Sequence, residues 1–193
     1  QPIVDAATGL ALCYNGELYN FAELREELRA AGHVFTTSGD TEVLLRALVH
    51  WGDAALPRLR GMFAFAAWDP RTRRLLVVRD QVGVKPLYYH WDGRTLVFGS
   101  ELPALLEHPA VSRDIDLEAV NLYLEGQFVP APHSIWRTVR KLPQAHAIVI
   151  EDGALREFRY WSLDYRGKAE LGLDEAADVV ERALRESVSG MLV

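Results

Sequence analysis

Four strand-like segments in quick succession, residues 62–68, 74–79, 87–91 and 95–99, constrain this chain most. They read as antiparallel strands, and Asp92-Gly93 is a hairpin turn signal between the last two. Two helices precede them. Asn20 suits an N-cap, and Glu23, three residues on, completes a capping box. Phe21, Leu24, Leu28 and Ala31 then share a helical face that Gly32 ends. Asp40 can cap a second helix over residues 41–51, with Leu44, Leu45 and Leu48 inward and Gly52 as the stop. Further strand-like stretches are expected at 2–5, 10–14 and 33–37, with Thr8-Gly9 as the turn between the first two, and a short helical segment near 54–59. Short helices follow at 102–107 and 117–125, the second capped by Asp116. After an irregular stretch with Pro130, Pro132 and Pro143, a hairpin over 145–150 and 155–161 turns at Asp152-Gly153. This order predicts an α+β layered sandwich, with helices packed on antiparallel sheets.

The chain's 193 residues can build one substantial core with the edge of a second domain. An amphipathic helix is predicted from about Asp174, with Ala176, Val179, Val180, Ala183, Leu184 and Val188 as its apolar stripe. Residues 1–166 read as one domain, and residues 167–193 as a linker and the first helix of another. Both ends read as cut: Gln1-Pro2 lacks an initiator Met, and Gly190-Met191-Leu192-Val193 stops on an apolar face. A net charge of −6 argues against nucleic acid or anionic membrane as partner. The basic cluster Arg71-Thr72-Arg73-Arg74 reads as an exposed turn. No apolar run approaches the roughly 20 residues that span a bilayer, and there is no signal peptide. A single cysteine excludes an internal disulfide and fits a reducing cytoplasm. No Cys and His group has structural-zinc spacing. Oligomeric state is not legible.

Chemistry concentrates in two runs, Tyr14-Asn15-Gly16-Glu17-Leu18-Tyr19-Asn20 and Gly39-Asp40-Thr41-Glu42. An Asn amide beside a Gly N–H can make a two-donor oxyanion hole when both point at one spot. Asn-Gly is equally the strongest two-residue hairpin signal, and spacing alone leaves both readings standing. Glu17 and Asp40 add carboxylates, which suit a ligand with an ammonium group. Cys13, two residues before Asn15, reads as a small core residue in mid-strand. His33, His50, His90, His108, His133 and His146 are scattered and suggest no triad. Arg79-Asp80 and Lys85-Pro86 read as a structural loop ion pair, with a charged network that braces the active-site sheets or lines an exit for ammonia as the alternative.

Five runs in order carry a family resemblance. They are Tyr14 to Phe21, Asp40-Thr41-Glu42-Val43-Leu44-Leu45, Arg60-Gly61-Met62-Phe63-Ala64-Phe65-Ala66, Arg79-Asp80-Gln81-Val82-Gly83-Val84-Lys85-Pro86-Leu87-Tyr88-Tyr89, and Ser100-Glu101. Together they resemble the glutaminase domain of glutamine-hydrolysing asparagine synthetases, class II amidotransferases of the N-terminal-nucleophile hydrolase type. The resemblance implies that fold, here without its N-terminal segment. It implies an N-terminal cysteine whose thiolate attacks the glutamine side-chain amide, with its own α-amine as base. It also implies that Asn15 and the Gly16 N–H form the oxyanion hole, and that Gly16, Glu17 and Asp40 join Asn15 in holding glutamine. Ammonia would then pass to a second domain where ATP, with Mg, activates aspartate. No cofactor or metal is implied for residues 1–193 themselves.

The sequence departs from the family at four places. The nucleophile segment, with the arginine expected to bind the glutamine carboxylate, precedes Gln1. The nucleotide-binding loop of the synthetase would follow Val193. Gly39 stands where Ser is common, and Ala145 where Gly is usual. Relatives that amidate other carboxylates or close β-lactam rings, and a scaffold without glutaminase activity, are the alternative readings.

Overall fold

The computed structural model describes residues 1–192; Val193, the end of the expected second-domain helix, lies outside them. The elements run β1 (Ile3–Val4), β2 (Ala11–Leu18), α1 (Phe21–Ala30), α2 (Asp40–Trp51), a 3₁₀ segment (Gly52–Arg58), β3 (Gly61–Asp69) and β4 (Arg74–Arg79). Then come β5 (Tyr88–Trp91), β6 (Leu96–Gly99), α3 (Leu102–Leu106), α4 (Leu117–Gly126), β7 (Arg140–Lys141), β8 (His146–Glu151), β9 (Ala154–Arg159) and α5 (Leu173–Gly190). One sheet has the order β1-β2-β3-β4-β8-β9, a second the order β6-β5-β7, and every pairing is antiparallel.

Three layers result. Strand alternation sends Phe63, Phe65 and Ala67 of β3 to one face of the large sheet, where they meet Leu24 and Leu28 of α1 and Leu44 and Leu48 of α2. Ala64 and Ala66 go to the other face and meet Leu87 and Tyr89 of the small sheet's side. A strand covered on both faces reads as the unbroken apolar run seen here, and each large buried side chain contributes about 1.5–3 kcal/mol. The predicted α+β sandwich of antiparallel sheets and helices is the observed architecture.

Several local expectations change. Asn20 does not cap α1. Its amide instead donates to the Arg58 carbonyl and its carbonyl accepts from the Arg60 N–H, both at 3.0 Å. A long-range backbone pair has outcompeted the capping box. Asp40 is the first residue of α2, whose N-cap is Gly39, and its side chain makes no cap. Asp116 does cap α4, accepting from the Glu118 N–H at 3.0 Å. Residues 33–37 are not a strand. The buried Glu42 carboxylate takes the N–H and hydroxyl of both Thr36 and Thr37, so those amides need no ladder. Ala145, where the family usually has Gly, sits at φ 58°, the left-handed region that favours glycine.

Glu42 makes a pH prediction. Burial alone would raise its pKa, but the bonds from Thr37 and Thr36 together outweigh it and hold the carboxyl below its ordinary 4.5. A depressed folded pKa gives stability that is present above about pH 4.5 and is lost as pH falls through the folded value. Glu42→Gln should cost about 1–3 kcal/mol at pH 7 and flatten the acid limb of a urea-midpoint-versus-pH curve. An unchanged acid limb would rule out this anchor.

Candidate active site

The runs singled out in the sequence meet at one end of β2. Asn15 and Gly16 lie inside the strand, not in a hairpin turn, paired with Ala64 and Phe63 of β3. Gly16 has a packing reason for being glycine. A Cβ there would fall onto the Met62 carbonyl and lie 2.7 Å from Phe63 Cα, and Gly61 is pressed in the same way against Glu17. The two glycines let β2 and β3 approach more closely than side chains permit.

Backbone alternation then aims one N–H. The Tyr14 N–H donates outward to the Gln1 side-chain carbonyl at 2.6 Å, and the Leu18 N–H donates outward to Asp40 Oδ2 at 3.0 Å. Gly16, midway between them, has the same parity, so its N–H also points to the edge away from β3. Side chains alternate as well: Leu12, Tyr14 and Leu18 are buried, whereas Cys13 and Asn15 are exposed and Glu17 is half-buried on the opposite face.

Cys13 is therefore exposed, correcting the expected core placement. The strand continues to Leu18, so residue parity, not residue type, decides its environment. It lines a cleft of about 200 Å³ with Gln1, Asn15, Ala64, Phe98 and Ser100. The Asn15 amide donates to Ser100 Oγ at 3.3 Å, which draws the Ser100-Glu101 run to the site.

Gly16, Glu17 and Asp40 share a second cleft, of about 440 Å³, with Phe21, Met62 and Lys85. The structure thus brings three of the four predicted site residues into one cleft and puts Asn15 in the neighbouring one, one residue away along β2. Asp40 is held by two donors on Oδ2, the Tyr14 hydroxyl at 2.7 Å and the Leu18 N–H. Burial, then the bond to Asp40, pushes the Tyr14 phenol far above its ordinary range, so it stays a protonated donor. A larger cleft of about 490 Å³, lined by Gln144, His146, Arg159 and Trp161 among others, contains none of the four.

Lys85 reaches the site on a braced loop. The buried Asp80 carboxylate accepts from the N–H groups of Phe63, Val82, Val84 and Lys85 at 3.3, 3.2, 2.9 and 2.9 Å. Arg79 donates to the carbonyls of Lys85, Leu142 and Gly83 at 2.7–2.8 Å. Each charged side chain thus binds backbone, which explains why these neighbours bear opposite charges. The expected loop ion pair is replaced by these backbone bonds, and the place of Lys85 beside Glu17 and Asp40 has no local sequence signal.

His33 and His50, scattered in sequence, meet with ring nitrogens 3.0 Å apart. They lie on the α1–α2 side, outside both clefts. Among the described residues no group of three or more His, Cys, Asp or Glu could hold a metal ion, and no helix is long and apolar enough to cross a membrane.

Residues 1–161 match the model of the glutamine amidotransferase domain. The chain is 34% identical over 183 residues to asparagine synthetase [glutamine-hydrolyzing] 3 of Bacillus subtilis (strain 168), covering 94% of this chain and 30% of that protein. It is 44% identical over 142 residues to a putative asparagine synthetase [glutamine-hydrolyzing] of Mycobacterium bovis, covering 72% of this chain and 22% of that one. This chain therefore spans less than a third of the length of these relatives. The glutamine phosphoribosylpyrophosphate amidotransferase of B. subtilis, solved with ADP and GMP, shares the fold, with a TM-score of 0.58 and 24% identity over 83% of this chain and 32% of its own.

Proposed function

We propose a function from a fixed premise: the chain belongs to the glutamine amidotransferase domain family. Within that family it is homologous to the glutaminase domains of asparagine synthetases. Its substrate is glutamine, and the residues that hold it are Asn15, Gly16, Glu17 and Asp40. The observation that carries this assignment is the shared cleft of Gly16, Glu17 and Asp40, with Asn15 one residue away. Asp40 and Glu17 offer carboxylates to the substrate ammonium, each charge-assisted bond contributing about 1.5–3 kcal/mol. The Asn15 amide and the Gly16 N–H stabilise the oxyanion that forms when the side-chain carbonyl is attacked.

The attacking thiolate belongs to an N-terminal cysteine of the full-length protein. Cys13 does not supply it, because its nitrogen is bound in a peptide and cannot act as the base. A thioester forms, ammonia leaves, and water later releases glutamate. In the whole protein the ammonia amidates aspartate to asparagine in an ATP-dependent ligase domain, which would also hold the Mg. Residues 167–193 are the linker and first helix of that domain: no residue of α5 is buried, although Val180, Leu184 and Val188 form an apolar stripe. We place the enzyme in the cytoplasm.

Two assays test the reading. The full-length protein should form asparagine from aspartate, ATP and glutamine, and should accept ammonia in place of glutamine. The 193-residue chain alone should release no ammonia from glutamine above background. Turnover by that chain, abolished by Cys13→Ser, would overturn the assignment of the nucleophile.

A further inference from the structure

We propose that the Tyr14 hydroxyl is a positioning group for glutamine, fixing Asp40 so that its second carboxylate oxygen faces the substrate ammonium. This rests on the assignment of Asp40 to the glutamine cleft. The geometry is a strap across Gly16. Tyr14 and Leu18 lie two residues before and after Gly16 on β2, and both donate to the same Asp40 oxygen, Oδ2, at 2.7 and 3.0 Å. Among the described residues the other oxygen, Oδ1, meets only the Thr41 hydroxyl at 3.4 Å, at the limit of a hydrogen bond. The carboxylate therefore bridges Tyr14 and Leu18, on either side of Gly16 in β2, in the cleft that Gly16 also lines, with one oxygen committed to the protein and one available.

Such a strap matters because the terminal torsion of an aspartate is soft. A carboxylate joined through an sp³–sp² bond has a broad, roughly two-fold rotational profile and does not orient itself. Tyr14 is buried in the core between the large sheet and α1–α2, so its ring is held by packing and its hydroxyl cannot follow a moving partner. It reaches Asp40 across 26 residues of sequence, a link that no local pattern announces. The neighbour Thr36–Thr37 segment is pinned from the other side by Glu42, two residues after Asp40, so backbone and side chain of Asp40 are both fixed.

The test compares the full-length protein with its Tyr14→Phe variant, which keeps the ring and removes one oxygen. Three quantities are read: KM and kcat for glutamine hydrolysis, and Ki for glutaramate, which is glutamine without its α-amino group. Loss of one oriented, charge-assisted contact should raise the glutamine KM about tenfold with kcat changed less than about twofold. The glutaramate Ki should not move, because that ligand has no ammonium. An unchanged glutamine KM, or KM and Ki rising in parallel as a general loosening would cause, overturns the proposal. Asp40→Asn separates the two levels. No rise in its glutamine KM removes the ammonium assignment itself, whereas a rise there with none in Tyr14→Phe removes only the role of Tyr14. Thermal midpoints without glutamine establish that both variants are folded.

Discussion

Asn15→Ala in the full-length protein should lower kcat for glutamine hydrolysis by about 10²–10³, the usual loss for one oxyanion donor. The magnitude follows from where the charge develops. A neutral side-chain carbonyl needs little help in the ground state, so the glutamine KM should change by less than about threefold. In the tetrahedral intermediate the oxygen carries a full charge, and on the proposed assignment the amide of Asn15 and the N–H of Gly16 would then become strong partners. Asparagine synthesis from added ammonia, the activity proposed for the full-length protein, would bypass this step and should keep its rate. Loss of both activities together would indicate a folding defect and sink the role. The variant is well suited to the test because Asn15 is exposed, and among the described residues its one side-chain bond is the 3.3 Å contact to Ser100. Ser100→Ala should accordingly have a smaller effect in the same direction, since it frees the amide to rotate without removing it.

How far the sequence announced this arrangement depends on the range of each interaction. The strand succession, the Asp92-Gly93 and Asp152-Gly153 turns and the Asp116 cap were legible, because their causes lie within a few residues. Asn20 misled because its side chain satisfies Arg58 and Arg60, some forty residues away, in place of its own helix. Cys13 misled because residue type was weighed above alternation: Leu12 and Tyr14 share the buried face, which puts Cys13 on the opposite face with Asn15 and Glu17. The site itself was legible only through the order of five motifs. Asn15-Gly16 carries the same letters as a hairpin turn, and only the partner strand shows why glycine is needed at position 16. The Tyr14–Asp40 and Lys85 contributions had no signal in periodicity or spacing, since each depends on elements that fold together from distant parts of the chain.

The most destabilising single change should be Asp80→Ala, at about 3–5 kcal/mol, the range for removing one charged partner from a buried, fully bonded site. Asp80 is wholly buried, and its two oxygens serve four backbone N–H groups. Alanine leaves those donors without acceptors, and burying an unpaired donor costs about 1–3 kcal/mol before any relaxation. For a chain of this size the loss corresponds to a drop of about 10 °C in Tm. Asp80→Asn should recover little of it. Its amide nitrogen would present hydrogens to backbone N–H groups where the second carboxylate oxygen accepts, so one side of the brace becomes repulsive. The Arg79 carbonyl bonds would then hold the loop alone, and their guanidinium is already disfavoured by burial, which pulls its pKa below the ordinary value. Function should fail at milder conditions than the fold. Residues 81–86 carry Lys85 to the cleft shared by Gly16, Glu17 and Asp40, so loosening them should disturb the proposed glutamine site while β3 and β4 remain paired. A glutamine KM that rises well below the Tm of Asp80→Asn would bear this out. A variant with wild-type Tm would show that the four N–H groups find other acceptors and that the brace is not what holds the loop.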